Sequence, residues 1–146
     1  MNILSLHKDP IEAGNKLIAN FVGRSGKLRD TLYTFKGISD LLEDDIWYTI
    51  EQSKFHKCWN WLMLVVDKIE KNHKANFKTI CSWNEFNGCS YYQVVVNIEK
   101  GTMSKDNTYV YDQKKVYEHS TQTYRCKKKA TYEAVIEFIK WYNKQN

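Results

Sequence analysis

Residues 55–70 read FHKCWNWLMLVVDKIE, and this stretch decides the fold of the chain. Its apolar residues recur at i, i+3, i+4 and i+7, the spacing of one buried helical stripe, at Leu62, Val65, Val66 and Ile69. Trp59 extends that stripe by one turn, whereas Trp61 and Leu64 lie off it. The stretch predicts an amphipathic helix from about Cys58 to Asn72 that is either covered on two faces or used in a dimer contact.

A further helix is predicted on each side of this central one. Asp9-Pro10 is typical of an N-cap followed by a proline in the first turn, and that helix ends near Gly23. The last helix begins between residues 128 and 131. It presents one apolar stripe to the interior, made of Val135, Phe138, Ile139 and Tyr142.

Strand periodicity follows the central helix. Apolar and polar residues alternate over residues 77–83, Asn87-Gly88 favours a turn, and residues 92–98 alternate again, which predicts an antiparallel hairpin. Residues 31–35 supply material for a short extended segment, and residues 108–111 and 116–124 supply material for one or two more strands. The prediction is an α+β fold in one domain over residues 1–146: a small antiparallel sheet packed by three amphipathic helices, α-β-α sandwich-like.

The central stretch also resembles small uncharacterised proteins of bacteriophages and prophages of Bacteroidetes-type bacteria. Their helix reads Trp-Asp-Trp-Leu-Met-Pro-Val-Val-Glu-Lys-Ile after an aromatic-His pair. Residues 14–19 and 130–143 agree with the same group, and the sequence departs from it at Cys58, Asn60, Leu64 and Lys129. The resemblance implies an α-β-α sandwich and brings no catalytic residues with it. It implies a phage- or prophage-encoded accessory protein that sequesters or blocks a host component, such as a counter-defence factor.

Composition favours a globular, cytoplasmic protein, in the host cell if the protein is phage-encoded. Hydrophobic residues make up 42% of the chain, no apolar run is long enough for a membrane span, and no signal peptide is recognisable. The formal net charge of +5 is uneven, with basic clusters in residues 24–36 and 125–129 and an acidic cluster in residues 40–51. Such asymmetry permits an anionic partner, although a run of charges is more often a solvated face.

Metal binding and cysteine catalysis find little support in the sequence. The four cysteines are Cys58, Cys81, Cys89 and Cys126, and they lack the paired short spacing of a zinc site, although Cys81 and Cys89 can face each other across a hairpin. His56 lies two residues before Cys58, without the third group that orients a catalytic pair. We therefore expect free thiols, no metal, no cofactor and no enzymatic activity, and we keep an enzyme of unrecognised type as the last alternative.

An anion-binding surface is the best-defined alternative to a protein-blocking role. Gly23 to Lys27 is not a phosphate loop, because the glycines are too close together and the segment follows a helix. A glycine-containing basic turn with exposed tyrosines can still hold a nucleotide or a nucleic acid. The predicted ligand-binding residues are Arg24, Lys27, Arg29, Arg125, Tyr109 and Tyr111. The predicted partner is a host protein or an anionic nucleotide, with no membrane, and a homo-oligomer is left open.

Overall fold

The structure is a computed structural model that describes residues 9–22, 27–29, 32–36, 47–49, 53–99, 102–103, 109–110 and 115–145. Within these ranges the chain forms three helices and eight strands. In chain order they are α1 Pro10–Phe21, β1 Lys27–Arg29, β2 Leu32–Lys36, β3 Trp47–Thr49, α2 Trp59–His73, β4 Ala75–Asn84, β5 Cys89–Glu99, β6 Thr102–Met103, β7 Tyr109–Val110, β8 Lys115–Ser120 and α3 Lys127–Gln145.

The strands form antiparallel sheets in the orders β1-β2-β3, β4-β5-β8 and β6-β7. The β4-β5-β8 sheet carries the helices, so the α+β class predicted from the sequence is confirmed.

The start of α1 follows the predicted cap. The Asp9 side chain accepts a hydrogen bond from the Ile11 N–H at 3.1 Å, and Pro10 occupies the first helical position, where its missing N–H costs nothing. At the other end of α1, Lys68 Nζ on α2 donates to the Val22 carbonyl oxygen at 2.5 Å. This bond ties the end of the first helix to the second.

One core joins the helices to the sheet. The predicted stripe of α2 is buried, at Leu62, Val65, Val66 and Ile69. It shares the core with Val135, Phe138 and Ile139 of α3, as predicted, and with Val94, Val96 and Ile98 of β5. Because only alternate residues of β5 are buried, the described helices pack on one face of this sheet. The other face exposes Lys78, Ile80 and Ser82 of β4.

The two tryptophans at the start of α2 differ in burial. Trp61 is buried and packs edge-to-face against Phe55, with 5.1 Å between the ring centroids. The prediction that Trp59 extends the buried stripe is wrong, because its ring is exposed at the first residue of the helix. Phe55, fully buried just before the helix, fills the core at this end instead.

The β4–β5 hairpin extends beyond the helical layer. The strands pair without interruption from Ala75 opposite Ile98 to Asn84 opposite Cys89, and Gly88 turns the chain with φ of +64°. In β4 only Ala75 is buried, and residues 78–83 are exposed on both faces of the strand. We call residues 78–93 the hairpin arm.

Candidate functional site

The end of the hairpin arm exposes large aromatic side chains. Trp83 is 64% exposed, and Phe86 in the turn is fully exposed. Tyr91 lies beside them on β5, where its hydroxyl accepts a hydrogen bond from Asn87 Nδ2 at 2.7 Å. Exposed aromatic residues close together commonly mark a binding surface, because a partner that covers them buries apolar surface that the fold leaves in water.

A loop before α3 brings an arginine to the same end of the arm. Tyr92 and Tyr124 exchange two backbone hydrogen bonds of 2.7 and 2.8 Å, which holds the residues after β8 against β5. The next residue, Arg125, reaches the base of the turn, where its Nη2 lies 2.8 Å from Cys89 Sγ. Its guanidinium remains exposed to solvent.

The turn, the strands and this loop border an open depression of about 590 Å³. Its lining residues are Ser82, Trp83, Asn84, Glu85, Phe86, Tyr91 and Thr123. Glu85 is the one carboxylate of this lining and faces solvent in the turn. We define the tip surface as Trp83, Phe86, Tyr91, Thr123 and Arg125.

Further cations lie behind the tip surface at the start of α3. Lys127 Nζ lies 5.9 Å from the centre of the Trp59 ring, and Lys129 Nζ lies 5.2 Å from that of Tyr124, so both pair with exposed or half-buried aromatic faces. Lys128 instead donates to the Lys57 carbonyl oxygen at 2.8 Å. The ammonium groups of Lys127 and Lys129 remain exposed and add to the positive potential around Arg125.

A polar cluster joins α1, α3 and the turn before α2, and the hydrogen bonds within it give it a structural role. Asn15 is 2% exposed, and its Nδ2 donates to His56 Nδ1 at 3.0 Å. The Tyr132 hydroxyl lies 3.2 Å from both Asn15 Oδ1 and the Ile11 carbonyl oxygen. Burial, followed by Lys57, lowers the pKa of His56, and burial followed by Glu133 raises the pKa of Tyr132. The cluster is satisfied internally and favours a neutral His56.

A pocket of about 190 Å³ between β8 and α3 is lined by one histidine and two carboxylates. It is lined by His119, Ser120, Thr121, Gln122, Tyr124, Glu133 and Glu137. Burial, then Glu133, raises the pKa of Tyr124. In the described part of the chain no group of three or more His, Cys, Asp or Glu residues is arranged to hold a metal ion. None of the four cysteines lines the pocket, so it offers no nucleophile of that kind.

The four cysteines are free thiols in the structure. The idea that Cys81 and Cys89 face each other is wrong, because Cys81 pairs with Tyr92 and Cys89 with Asn84. Neighbouring residues of a strand point to opposite faces, so these two side chains lie on opposite sides of the sheet.

Most of the predicted ligand-binding residues lie where the side chains are not described. Arg24 and Tyr111 fall outside the described residues, and for Lys27, Arg29 and Tyr109 only the backbone of β1 and β7 is described. Of the predicted ligand-binding residues, Arg125 is the one whose side chain the structure describes, and it belongs to the tip surface. Trp83 and Phe86 of the tip surface were not among the predicted residues. The signal for them in the sequence was two aromatic residues just before the Asn87-Gly88 turn.

Comparison with family models, with curated proteins and with solved structures finds no match. Among the described helices none is both long enough and apolar enough to cross a membrane.

Proposed function

We propose that this chain is a non-enzymatic binding protein whose tip surface holds single-stranded nucleic acid. The observation that carries the proposal is the pair of exposed aromatic residues, Trp83 and Phe86, beside the exposed guanidinium of Arg125. Single-stranded nucleic acids offer unpaired bases that stack on aromatic rings and phosphates that pair with cations. The tip surface supplies both.

The aromatic residues provide the sequence-tolerant part of the interaction. A base stacked on one ring contributes about 1–3 kcal/mol by alanine substitution. Phe86 has no protein neighbour to lose when a base covers it, because its side chain is fully exposed. Removing it should therefore weaken binding without disturbing the fold.

The cations provide the salt-dependent part. Arg125 suits a bidentate phosphate contact, and Lys127 and Lys129 extend the positive surface along the start of α3. Each phosphate neutralised on a single strand contributes about −0.7 to the slope of log affinity against log salt. Three contacts predict a slope of about −2, and Glu85 opposes them only locally.

The test is fluorescence anisotropy with a labelled oligonucleotide of mixed sequence, measured over a salt series. Phe86→Ala should weaken binding by about fivefold or more with an unchanged slope. Arg125→Ala should weaken binding and reduce the slope by about 0.7. Lys144→Ala is the matched control, because Lys144 is an exposed cation near the other end of α3, about 25 Å along the helix.

Three results separate this ligand from others. No binding by the parent protein at low salt would reject single-stranded nucleic acid and favour a protein partner for the exposed aromatic residues. Equal losses in Arg125→Ala and Lys144→Ala would reject the tip surface as the site. If mononucleotides stabilise the protein and salt changes that stabilisation little, the ligand would be a free nucleotide rather than a single-stranded nucleic acid.

The resemblance to phage proteins adds a role to this proposal. A phage or prophage accessory protein that sequesters or blocks a host component would act here by capturing a nucleic acid or nucleotide. That role, the counter-defence purpose and the host cytoplasm as its place remain predictions from the resemblance.

A further inference from the structure

Among the described residues the outer edge of β4 has little protection. Within the described residues β4 has β5 as its one hydrogen-bonded neighbour. It runs for ten residues with a regular register, contains no proline, and carries Lys78 as its single charge. Natural sheets usually protect an edge with charges, prolines, bulges or short strands.

The strand at the opposite end of the same sheet shows the contrast. β8 is six residues long, and its register shifts between Ile98 and Glu99 of β5. It carries Glu118 and His119 in its second half. We infer that the β4 edge pairs in antiparallel fashion with the β4 edge of a second copy of this chain, joining two three-stranded sheets into one.

The backbone of the hairpin determines which residues of β4 face that second copy. Tyr92 and Val94 direct their backbone groups away from β4, since they bond to Tyr124 and Thr121. Backbone groups alternate sides along an antiparallel strand, so Gln93 bonds to its partner Ile80. Thr79, next to Ile80, therefore turns its N–H and C=O outward to the free edge.

This alternation limits the registers that two β4 edges can adopt. Outward-facing residues must pair with each other, which places one residue opposite its own copy on a twofold axis. An axis at Lys78 would oppose two ammonium groups. An axis at Ile80 avoids this, because Lys78 of one copy then lies opposite Ser82 of the other copy. The two Lys78 residues are then about 13 Å apart along the strand direction.

The register centred on Ile80 is also complementary elsewhere. It pairs Thr79 with Cys81 and Asn76 with Asn84, and it sets Phe77 beside Trp83, an aromatic pair of the kind that stabilises sheets. The central positions of this pairing are available, since residues 78–83 are exposed on both faces of the strand, whereas Phe77 and Asn84 near its ends are half-buried. The edge therefore suits a second copy of itself, in an isologous contact with matched side chains.

The dimer and the proposed ligand share Trp83, so their tests use different residues. Phe86 and Arg125 lie outside β4 and report on ligand binding, whereas Thr79 and Ile80 report on pairing. A parent chain that binds the oligonucleotide but stays a monomer overturns this inference alone. A parent chain that dimerises but does not bind the oligonucleotide overturns the proposed function alone.

Sedimentation velocity over a concentration series tests the pairing. The parent chain should shift reversibly to twice its monomer mass. Thr79→Pro removes an outward N–H without removing a bond to β5, and it should raise the dimer dissociation constant at least about tenfold, because two backbone bonds are lost per dimer. Thr79→Val keeps the N–H and should dimerise like the parent. Ile80→Lys, which opposes two cations on the axis, should also give a monomer and serves if Thr79→Pro folds poorly.

Disulfide trapping tests the register. In a background with serine at Cys58, Cys81, Cys89 and Cys126, Ile80→Cys should form an intermolecular disulfide, since residues opposite each other in a non-hydrogen-bonded pair lie about 4.5 Å apart at Cα. Ser82→Cys in the same background faces Lys78 and should stay unlinked. A parent chain that sediments as a monomer at every concentration, or linking of Ser82→Cys without Ile80→Cys, would overturn the inference.

Discussion

The two ends of the β4–β5 hairpin have opposite surroundings. Near Ala75 and Ile98 the strands lie under α2 and α3, and their inward side chains are buried. Near Trp83 and Phe86 the strand β4 has both faces in solvent, and β5 beside it is half-buried. Backbone pairing is equally regular at both ends, so the difference lies in side-chain burial. One end stabilises the fold, and the other is available to partners.

The largest expected effect breaks the covered end. Val66→Asp places an unpaired carboxylate at a position that is 2% exposed, and we expect a loss of more than about 4 kcal/mol, enough to prevent folding. Ser82→Asp, on the exposed arm, should leave the circular dichroism spectrum and the melting temperature close to those of the parent. Soluble Val66→Asp protein with unchanged melting would show that α2 is not a core helix.

A smaller effect is expected where α1 meets α3. A Cβ at Gly14 would collide with the Tyr132 hydroxyl, which is held by Ile11 and Asn15. Alanine usually stabilises a helix relative to glycine by about 1 kcal/mol, but here the collision should reverse the sign and cost about 1–3 kcal/mol.

Urea denaturation measures this reversal. The loss caused by Gly14→Ala should shrink in a Tyr132→Phe background, because the hydroxyl that the Cβ meets is absent there. An equal loss in both backgrounds would assign the cost to Ile136 Cδ1 and to the ring carbon Cζ at position 132, which each lie 3.1 Å from the same Cβ position.

Mild acid should weaken the covered end specifically. Burial lowers the pKa of His56 and of His73, so the unfolded chain binds more protons than the folded one near the usual histidine value of about 6.5. The free energy of unfolding should therefore fall as the pH drops from about 7.5 to 5.5. Protonation of His56 Nδ1 would also remove the acceptor for Asn15 Nδ2.

Melting temperatures measured between about pH 7.5 and 5.5 check whether stability falls with pH as expected. The double variant His56→Gln, His73→Gln should show a flatter dependence than the parent, although it is less stable at pH 7.5. A parent protein that melts higher at pH 5.5 than at pH 7.5 would contradict the assigned direction of both pKa shifts.

The sequence predicted the covered end far better than the arm, for a physical reason. A core imposes a period of 3.6 residues on a helix and of 2.0 residues on a strand, and the sequence shows both. The apolar residues that carry these periods are buried: Leu62, Val65, Val66 and Ile69 in α2, and Val94, Val96 and Ile98 in β5. An exposed strand has no such constraint, so the alternation over residues 77–83 predicted a strand but not the exposure of Trp83. Arg125 was found through its charge, but its position depends on the Tyr92–Tyr124 pairing, which local sequence does not encode.

The buried role of Trp61 illustrates the same limit. Helical periodicity placed it off the apolar stripe, and only the folded turn at Phe55 brings a ring against it. The environment of Tyr117 also depends on the folded chain, because Phe138 and Trp141 of α3 pack against its ring. Burial, followed by Glu137, raises its pKa to about 12.

The smallest expected effect sharpens the comparison at the tip of the arm. Phe86→Ala removes a side chain that is fully exposed, so no buried area is lost and no cavity forms. Its free energy of unfolding should stay within about 0.5 kcal/mol of the parent value. Phe55→Ala removes the same side chain from a fully buried position and should cost about 3–5 kcal/mol. Urea denaturation of the two variants compares one chemical change at both ends of the molecule. A loss above about 1 kcal/mol for Phe86→Ala would mean that the ring packs against the protein in solution, and a ring already covered in that way could not serve as a stacking surface.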